Sequence, residues 1–350
     1  MRVLVAPMDW GLGHATRCIP IVAMLLNKSC EVILGGSGLS LALLQREFPQ
    51  LSTVALPAYN PRYAKGKNLA PVLLMQLPHF INTIQREHSI VEEVVATHNI
   101  DIIISDNRFG CWSRRAKSVF MTHQINIIMP SLLSWFAPII NFFNHRQIIK
   151  FDVCWVPDEE GSASFAGKLS AAAFPAQYIG ILSQLRPTQH CDIRYDVFVI
   201  LSGPEPQRTL LEEKIYASLK NFNGTLLMVR GVRGNENIRA VSRNFFVADC
   251  FGRAAMQQAV NQSKLIIARS GYTTVMDMAT AGKHVVFIPT PGQTEQAYLA
   301  ERLKEKGVAY RMVQNSFNLI DALNGADAYT GFSPWPHNDR LERAINNLVT

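Results

Sequence analysis

The chain has no CxxC pair, no run of lysines or arginines, and no internal repeat of solenoid period. Its six cysteines, Cys18, Cys30, Cys111, Cys154, Cys191 and Cys250, are scattered, which fits a reducing compartment and argues against a structural zinc site. Without basic runs or aromatic–basic interleaving, nucleic acid is not an expected partner. The net charge of +7 still favours anionic partners such as nucleotides or an acidic membrane surface. Charged residues are few, 17% against 48% hydrophobic, so the chain has a large core to bury. Its 350 residues suffice for two domains of ordinary size. The apolar start Val3–Pro7 is too short for a signal-peptide core and no cleavage pattern follows, so a cytoplasmic location is expected.

What is present is clearest in residues 265–300, LIIARSGYTTVMDMATAGKHVVFIPTPGQTEQAYLA. Leu265–Ala268 reads as a buried parallel strand, broken by Arg269-Ser270-Gly271. Thr273 or Thr274 is the expected cap of a helix that carries Asp277 in a capping-box position and stops at Gly282. His284–Ile288 is a second strand, and Thr294 the expected cap of a helix over 295–306. This βαβα order predicts a doubly wound parallel sheet, which binds ligands at the carboxyl ends of its strands. The loops Ser270–Thr274 and Pro289–Gln296 then each lead into a helix N-terminus, where free N–H groups and the helix dipole suit a phosphate. Asp277 is placed to accept hydrogen bonds from a vicinal diol, or only completes the cap; spacing leaves both open.

Arg269-Ser270-Gly271, the acidic Asp277, Ala281-Gly282, Pro289, and Gln296 followed by Tyr298 resemble the C-terminal signature of GT-B glycosyltransferases. The family 28 type, which includes the lipid II-forming N-acetylglucosaminyltransferase, is the most similar. The resemblance implies two Rossmann-like domains facing across a cleft, here 1–185 on the acceptor side and 195–335 on the nucleotide-sugar side. A C-terminal helix in 336–350 is expected to cross back to the first domain. It implies that Asp277 holds the ribose of a UDP-sugar, that Gln293 and Gln296 hold its sugar, and that Ser202, Gly203, Ser270, Gly271 and Thr273 cradle the diphosphate. Backbone near Phe251 is expected to meet the uracil edge. Arg230, ending a predicted strand, is a further phosphate candidate. Where the family has a longer basic stretch before its glutamines, this chain reads GQTEQA, so the sugar is left open. The sequence has no DxD pair, consistent with a site that uses neither metal nor cofactor.

The first half opens with a strand over 1–6, a loop over 7–13 containing Gly11-Leu12-Gly13-His14, and a helix over 15–27. The third glycine of a dinucleotide fingerprint is missing, and no acidic residue closes the second strand, which disfavours a nicotinamide cofactor. By resemblance, the loop at Gly13 faces acceptor and donor phosphates, and His14 is the general base on the acceptor hydroxyl. The alternative is that His14 only caps the helix or binds phosphate. The strand over 100–105 ends at Asp106, which either orients His14, caps a helix at 110–117, or pairs with Arg108. Arg17, Arg108 and His123 are assigned to the acceptor side; His123 is alternatively a core histidine.

Residues 57–70 read as a mobile loop near the acceptor face, and 71–98 as a helix broken near Pro78. The uncharged run Ile125–Phe143 reads as a buried strand, 125–129, then an apolar helix; Pro130, Pro138, Asn126 and Asn141 count against a membrane span. Trp135, Phe136, Phe142 and Phe143 beside His145, Arg146 and Lys150 fit either a core helix or a peripheral contact with the inner face of a membrane. The expected activity is therefore sugar transfer from a nucleotide-diphosphate donor to an acceptor hydroxyl, with a lipid-linked or cell-surface glycan precursor as acceptor. A nucleotide-sugar 2-epimerase and a non-catalytic nucleotide-sugar-binding subunit are the alternatives. The epimerase needs several carboxylates, and only Asp277 and Glu295 lie in the loops of the second half.

Overall fold

The computed structural model describes residues 1–60, 75–187, 191–335 and 339–349. They form two compact units, one holding the described residues up to Leu182 together with the C-terminal helix, the other running from Ser183 to 335.

The first unit is a seven-stranded sheet: β1 (Arg2–Pro7), β2 (Glu31–Gly36), β3 (Ser52–Ala55), β4 (Ile102–Asp106), β5 (Lys117–Met121), β6 (Val153–Val156) and β7 (Gln177–Tyr178). Its order is β3-β2-β1-β4-β5-β6-β7, and every pairing is parallel. Strands such as Val3–Ala6 and Ile102–Ile104 are apolar without alternation because helices cover both faces. Each such side chain, buried from an extended chain, contributes about 1.5–3 kcal/mol.

Helix α1 (Leu12–Asn27) begins three residues earlier than its sequence suggests. Gly11, at φ 95, takes the N-cap position, so the chain turns there and Gly13 and His14 fall inside the first helical turn. Helix α2 (Gly38–Glu47) follows β2, and α3 (Leu77–His98) precedes β4. Pro78 lies at the start of α3, where its missing N–H costs nothing, and does not break it. The loop expected at 57–70 lies outside the described residues from 61 onward, as does the helical reading of 71–74. Two expected elements do not form: residues 110–117 contain no helix, and 125–129 no strand. Short polar bonds occupy the second stretch instead, with Asn141, Asn144 and His145 bonded to backbone atoms of residues 125–127. Helix α4 (Ala137–Ile148) is not a core helix, since its Phe142 and Phe143 are 56% and 58% exposed. The C-terminal helix, Arg340–Val349, packs in this unit through Leu341, Ala344, Ile345 and Leu348, one stripe at helical spacing. Arg340 pairs with Glu159, and Lys28 of α1 with Glu342.

The second unit repeats the plan. Its strands are β8 (Tyr195–Ile200), β9 (Leu226–Val229), β10 (Arg239–Ala240), β11 (Phe245–Ala248), β12 (Ser263–Ala268), β13 (His284–Phe287) and β14 (Tyr310–Arg311). The order is β10-β11-β9-β8-β12-β13-β14, and only the edge strand β10 is antiparallel. Helices α5 (Gln207–Ser218), α6 (Arg253–Asn261), α7 (Tyr272–Ala281), α8 (Thr294–Glu305) and α9 (Leu319–Ala326) connect them. The threonines expected as caps do not cap. Gly271 is the N-cap of α7 and Gln293 that of α8, neither with a side-chain bond to the helix's first N–H groups, and Thr294 is already helical. Gly282 ends α7 at φ 63, against Pro334. Residues 188–190, between the two expected domains, lie outside the described residues.

Candidate functional site

In each sheet the strand order reverses direction once, between β1 and β4 in the first and between β8 and β12 in the second. A doubly wound sheet opens a crevice at the carboxyl ends of the two strands where this happens. His14, Arg17, Asp106 and His123 fall there in the first unit, and the loops at Ser202-Gly203 and Ser270-Gly271 in the second.

In the first unit Pro7 of β1 is in register with Asp106 at the end of β4, and Asp106 with Met121 at the end of β5. Three neighbouring strands thus deliver His14 and Arg17, then Asp106, then His123. His14 Nδ1 lies 3.1 Å from Asp106 Oδ2. Arg17 donates from Nε to Asp106 Oδ2 at 2.7 Å and from Nη2 to Oδ1. Its Nη2 is also 2.9 Å from His14 Nδ1, and its Nη1 3.1 Å from His123 Nδ1. Asp106 is fully buried and Arg17 is 1% exposed, whereas His14 keeps some contact with solvent. Burial alone would raise the Asp106 pKa; the charge of Arg17, then that of His14, outweighs it and brings the carboxyl down to about 2. Cys18 lies 3.9 Å from the same carboxylate, and burial followed by that charge pushes its thiol well up, so it stays protonated.

Arg108 does not belong to this group, and it does not pair with Asp106. It is fully buried, pairs with Glu87 at 2.6 Å, and donates to the carbonyls of Pro7 and Pro57. Tyr59 Oη and the Gly110 N–H donate to Glu87 as well. The sequence signal for this cluster was available. Glu87 interrupts the stripe Thr83, Val91, Val94 and Val95 on the buried face of α3, and a carboxylate in an apolar stripe needs a cation.

In the second unit Ser202-Gly203 follows β8, with Gly203 at φ 99, and Ser270-Gly271 follows β12. Arg269, unassigned in the sequence, ties these loops together. It donates to the carbonyls of Ile288 and Gln207 and to the side chain of Gln314. Burial lowers its pKa to about 10. Ser270 Oγ donates to the Gln296 carbonyl, the Thr290 N–H donates to Gln296 Oε1, and Gln296 Nε2 donates to Gln293 Oε1 at 2.5 Å. Gln293 and Gln296 therefore bond each other and the loop. Thr273 sits in the first turn of α7, beyond the N-cap Gly271.

Three side chains are engaged elsewhere. Arg230 pairs with Glu212 at 2.6 Å and with Asp249 at 3.5 Å, in a network that continues to Arg208 and Arg239, so its charge is already met by carboxylates. Phe251 packs its ring on Phe198 of β8, 6.1 Å between centroids. Asp277 is buried in the middle of α7 and accepts from Ser183 Oγ at 2.5 Å. Burial raises its pKa to about 7, with hydrogen bonds from Ser183 and Gln184 acting in the other direction. Its carboxylate is thus covered by residues 183–184, which no spacing argument reveals. Among the described residues no group of three or more His, Cys, Asp or Glu is placed to hold a metal ion.

Residues 216–326 match the family described as the glycosyltransferase family 28 C-terminal domain. Over 220 residues the chain is 25% identical to the UDP-N-acetylglucosamine–N-acetylmuramyl-(pentapeptide) pyrophosphoryl-undecaprenol N-acetylglucosamine transferase of Haemophilus ducreyi. That stretch spans 61% of this chain and 59% of the relative's length. Among solved structures, Acinetobacter baumannii MurG superposes with a TM-score of 0.59 at 14% identity, over 99% of both chains. The spinosyn rhamnosyltransferase SpnG gives 0.66 at 12% identity, over all of this chain and 96% of that one. Residues 216–326 thus resemble the family 28 C-terminal domain, and the chain along its whole length has the fold of the GT-B glycosyltransferases.

Proposed function

We propose that the chain is a glycosyltransferase that moves a sugar from a nucleotide-diphosphate donor to an acceptor hydroxyl. The observation that carries this reading is the match of residues 216–326 to the family 28 C-terminal domain. The name of the Haemophilus relative makes UDP-N-acetylglucosamine the first donor to test and a lipid-linked pyrophosphate the first acceptor.

In this reading the acceptor oxygen attacks the anomeric carbon, its proton passes to Nε2 of His14, and the bond from the anomeric carbon to the diphosphate breaks. Asp106 orients His14. The diphosphate takes up negative charge as it leaves, and the N–H groups of Ser270, Gly271 and Thr273 at the start of α7, with the Ser202-Gly203 loop, are the donors that stabilise it. These donors and the absence of a DxD pair from the sequence support a metal-independent reaction. Trp10 and Leu12 flank the cap of α1 and are 38% and 45% exposed, which supports an acceptor with an apolar part. On α4 and its flanks, exposed Trp135, Phe142, Phe143 and Ile149 stand beside Arg146 and Lys150, with the Arg146 guanidinium over the Phe142 ring. That combination supports peripheral contact with an anionic membrane face. No helix among the described residues is long and apolar enough to cross a membrane.

The test is a thermal-shift panel of UDP, UDP-N-acetylglucosamine, UDP-galactose, GDP-mannose, TDP-glucose and NAD, followed by transfer assays with the donor that binds. A ligand that binds only the folded state raises the melting temperature. A shift with one nucleotide-sugar and turnover abolished in His14→Ala is the expected result. No shift with any nucleotide sinks the reading.

A further inference from the structure

Arg17 was grouped with the acceptor side, yet its guanidinium does not face outward. It is 1% exposed and sits among the three titratable groups of the first unit's site. Two of its N–H groups hold both oxygens of Asp106. A third nitrogen, Nη1, is 3.1 Å from Nδ1 of His123. A guanidinium has only donors and does not lose its proton in proteins. Nδ1 of His123 must therefore carry a lone pair, which leaves its one proton on Nε2 and the ring neutral. At His14 the same cation competes with the carboxylate. Nδ1 is 2.9 Å from Arg17 Nη2 and 3.1 Å from Asp106 Oδ2. Arg17 on α1 and Asp106 on β4 both face His14, Arg17 also faces His123, and the protonated Cys18 thiol lies beside the carboxylate.

We propose that Arg17 is the positioning residue of this site: it fixes the Asp106 carboxylate beside His14 and holds His123 neutral as an Nε2–H donor. The catalytic consequence, a fixed Nε2–H donor at His123 for the acceptor, rests on the transferase reading. The placement of protons does not depend on that reading. A merely structural role, in which Arg17 only neutralises a buried carboxylate, leaves the tautomer of His123 free.

The experiment is nitrogen NMR of the full-length protein labelled with ¹⁵N-histidine, titrated with pH, with His14→Gln and His123→Gln used to assign signals. In the wild type, His123 is expected to show a proton-bearing Nε2 and a bare Nδ1. In Arg17→Met, where this donor to Nδ1 is gone, His123 is expected to lose its single tautomer, while Arg17→Lys keeps a bare Nδ1. A proton on Nδ1 of His123 in the wild type overturns the proposal whether or not any variant folds. An unchanged His123 tautomer in a folded Arg17→Met, judged by the signals of the other histidines, overturns it as well. A failure to find any donor counts against the transferase reading and leaves the NMR result standing.

Discussion

Replacing Asp277 by asparagine tests how the second unit treats its buried carboxylate. The carboxyl has an ordinary value of 3.8 and is raised to about 7 in the fold, because burial disfavours its charge more than the bonds from Ser183 and Gln184 favour it. A raised folded value means that its contribution to stability is fully present below pH 3.8 and is lost as pH rises through about 7. With one pH unit of separation equal to about 1.4 kcal/mol, ionising Asp277 costs about 1.5 kcal/mol at pH 5 and about 4 kcal/mol at pH 8. Asparagine keeps an acceptor for Ser183 Oγ and has no charge to desolvate. Hydrogen exchange of the α7 amides reads the opening of this unit without the other. After correction for intrinsic exchange, wild-type protection relative to Asp277→Asn is expected to fall roughly a hundredfold between pH 5 and 8. Equal pH dependence in the two proteins refutes the argument. The same contact bears on ligand binding: if a ribose uses Asp277, Ser183 must give up its bond, so Ser183→Ala is expected to bind nucleotide more tightly than wild type, read as a larger thermal shift at equal ligand.

Other substitutions test separate parts of the argument. Glu87→Ala leaves Arg108 buried without its carboxylate and is expected to cost about 3–5 kcal/mol, measured as a fall in the denaturation midpoint. Gly282→Ala forces a side chain into φ 63, with its Cβ 2.6 Å from Pro334, and is expected to lower stability by more than about 1 kcal/mol in the same assay. Replacing Phe142 and Phe143 by serine removes exposed apolar area from α4 and is expected to abolish co-flotation with anionic vesicles while leaving the melting temperature within a few degrees. Vesicle binding unchanged in that variant removes the membrane reading.

The fold was legible because its signals are local. Apolar runs such as Ile102–Ile104 and Leu265–Ala268 can be buried on both faces only in a covered parallel sheet, and the alternation with helices leaves few other topologies. Where the reading failed, a second local preference competed. The run 125–129 has the composition of a strand, but Asn141 bonds its backbone, Asn126 within it donates to the carbonyls of Lys168 and Ala171, and the chain turns there instead of pairing. Helix caps were misplaced because Gly11 and Gly271 turn the chain before the expected threonines or loop end are reached.

The site was only partly legible, for a different reason. Loops at strand ends announce where a ligand meets a doubly wound sheet, and topology put Asp106 in the same crevice as His14 while leaving its partner open. The charges around them were not legible, because a guanidinium on its long side chain chooses partners through space. Arg17, Arg108 and Arg230 look alike in the sequence as phosphate or acceptor candidates, and Arg269 has no assigned role there. In the fold, Arg108 and Arg230 answer carboxylates at Glu87, Glu212 and Asp249, and Arg269 answers carbonyls at the ends of loops. Only Arg17 remains with the histidines, and it does so because α1 starts early enough to set residues 14 and 17 one turn apart, facing the end of β4. The capping glycine at position 11 therefore decides the chemistry of the first unit as much as the titratable residues do. Its φ of 95 lets the helix begin at Leu12, and a residue with a side chain there, strained in that conformation, would push the start of the helix onward and carry His14 and Arg17 away from Asp106.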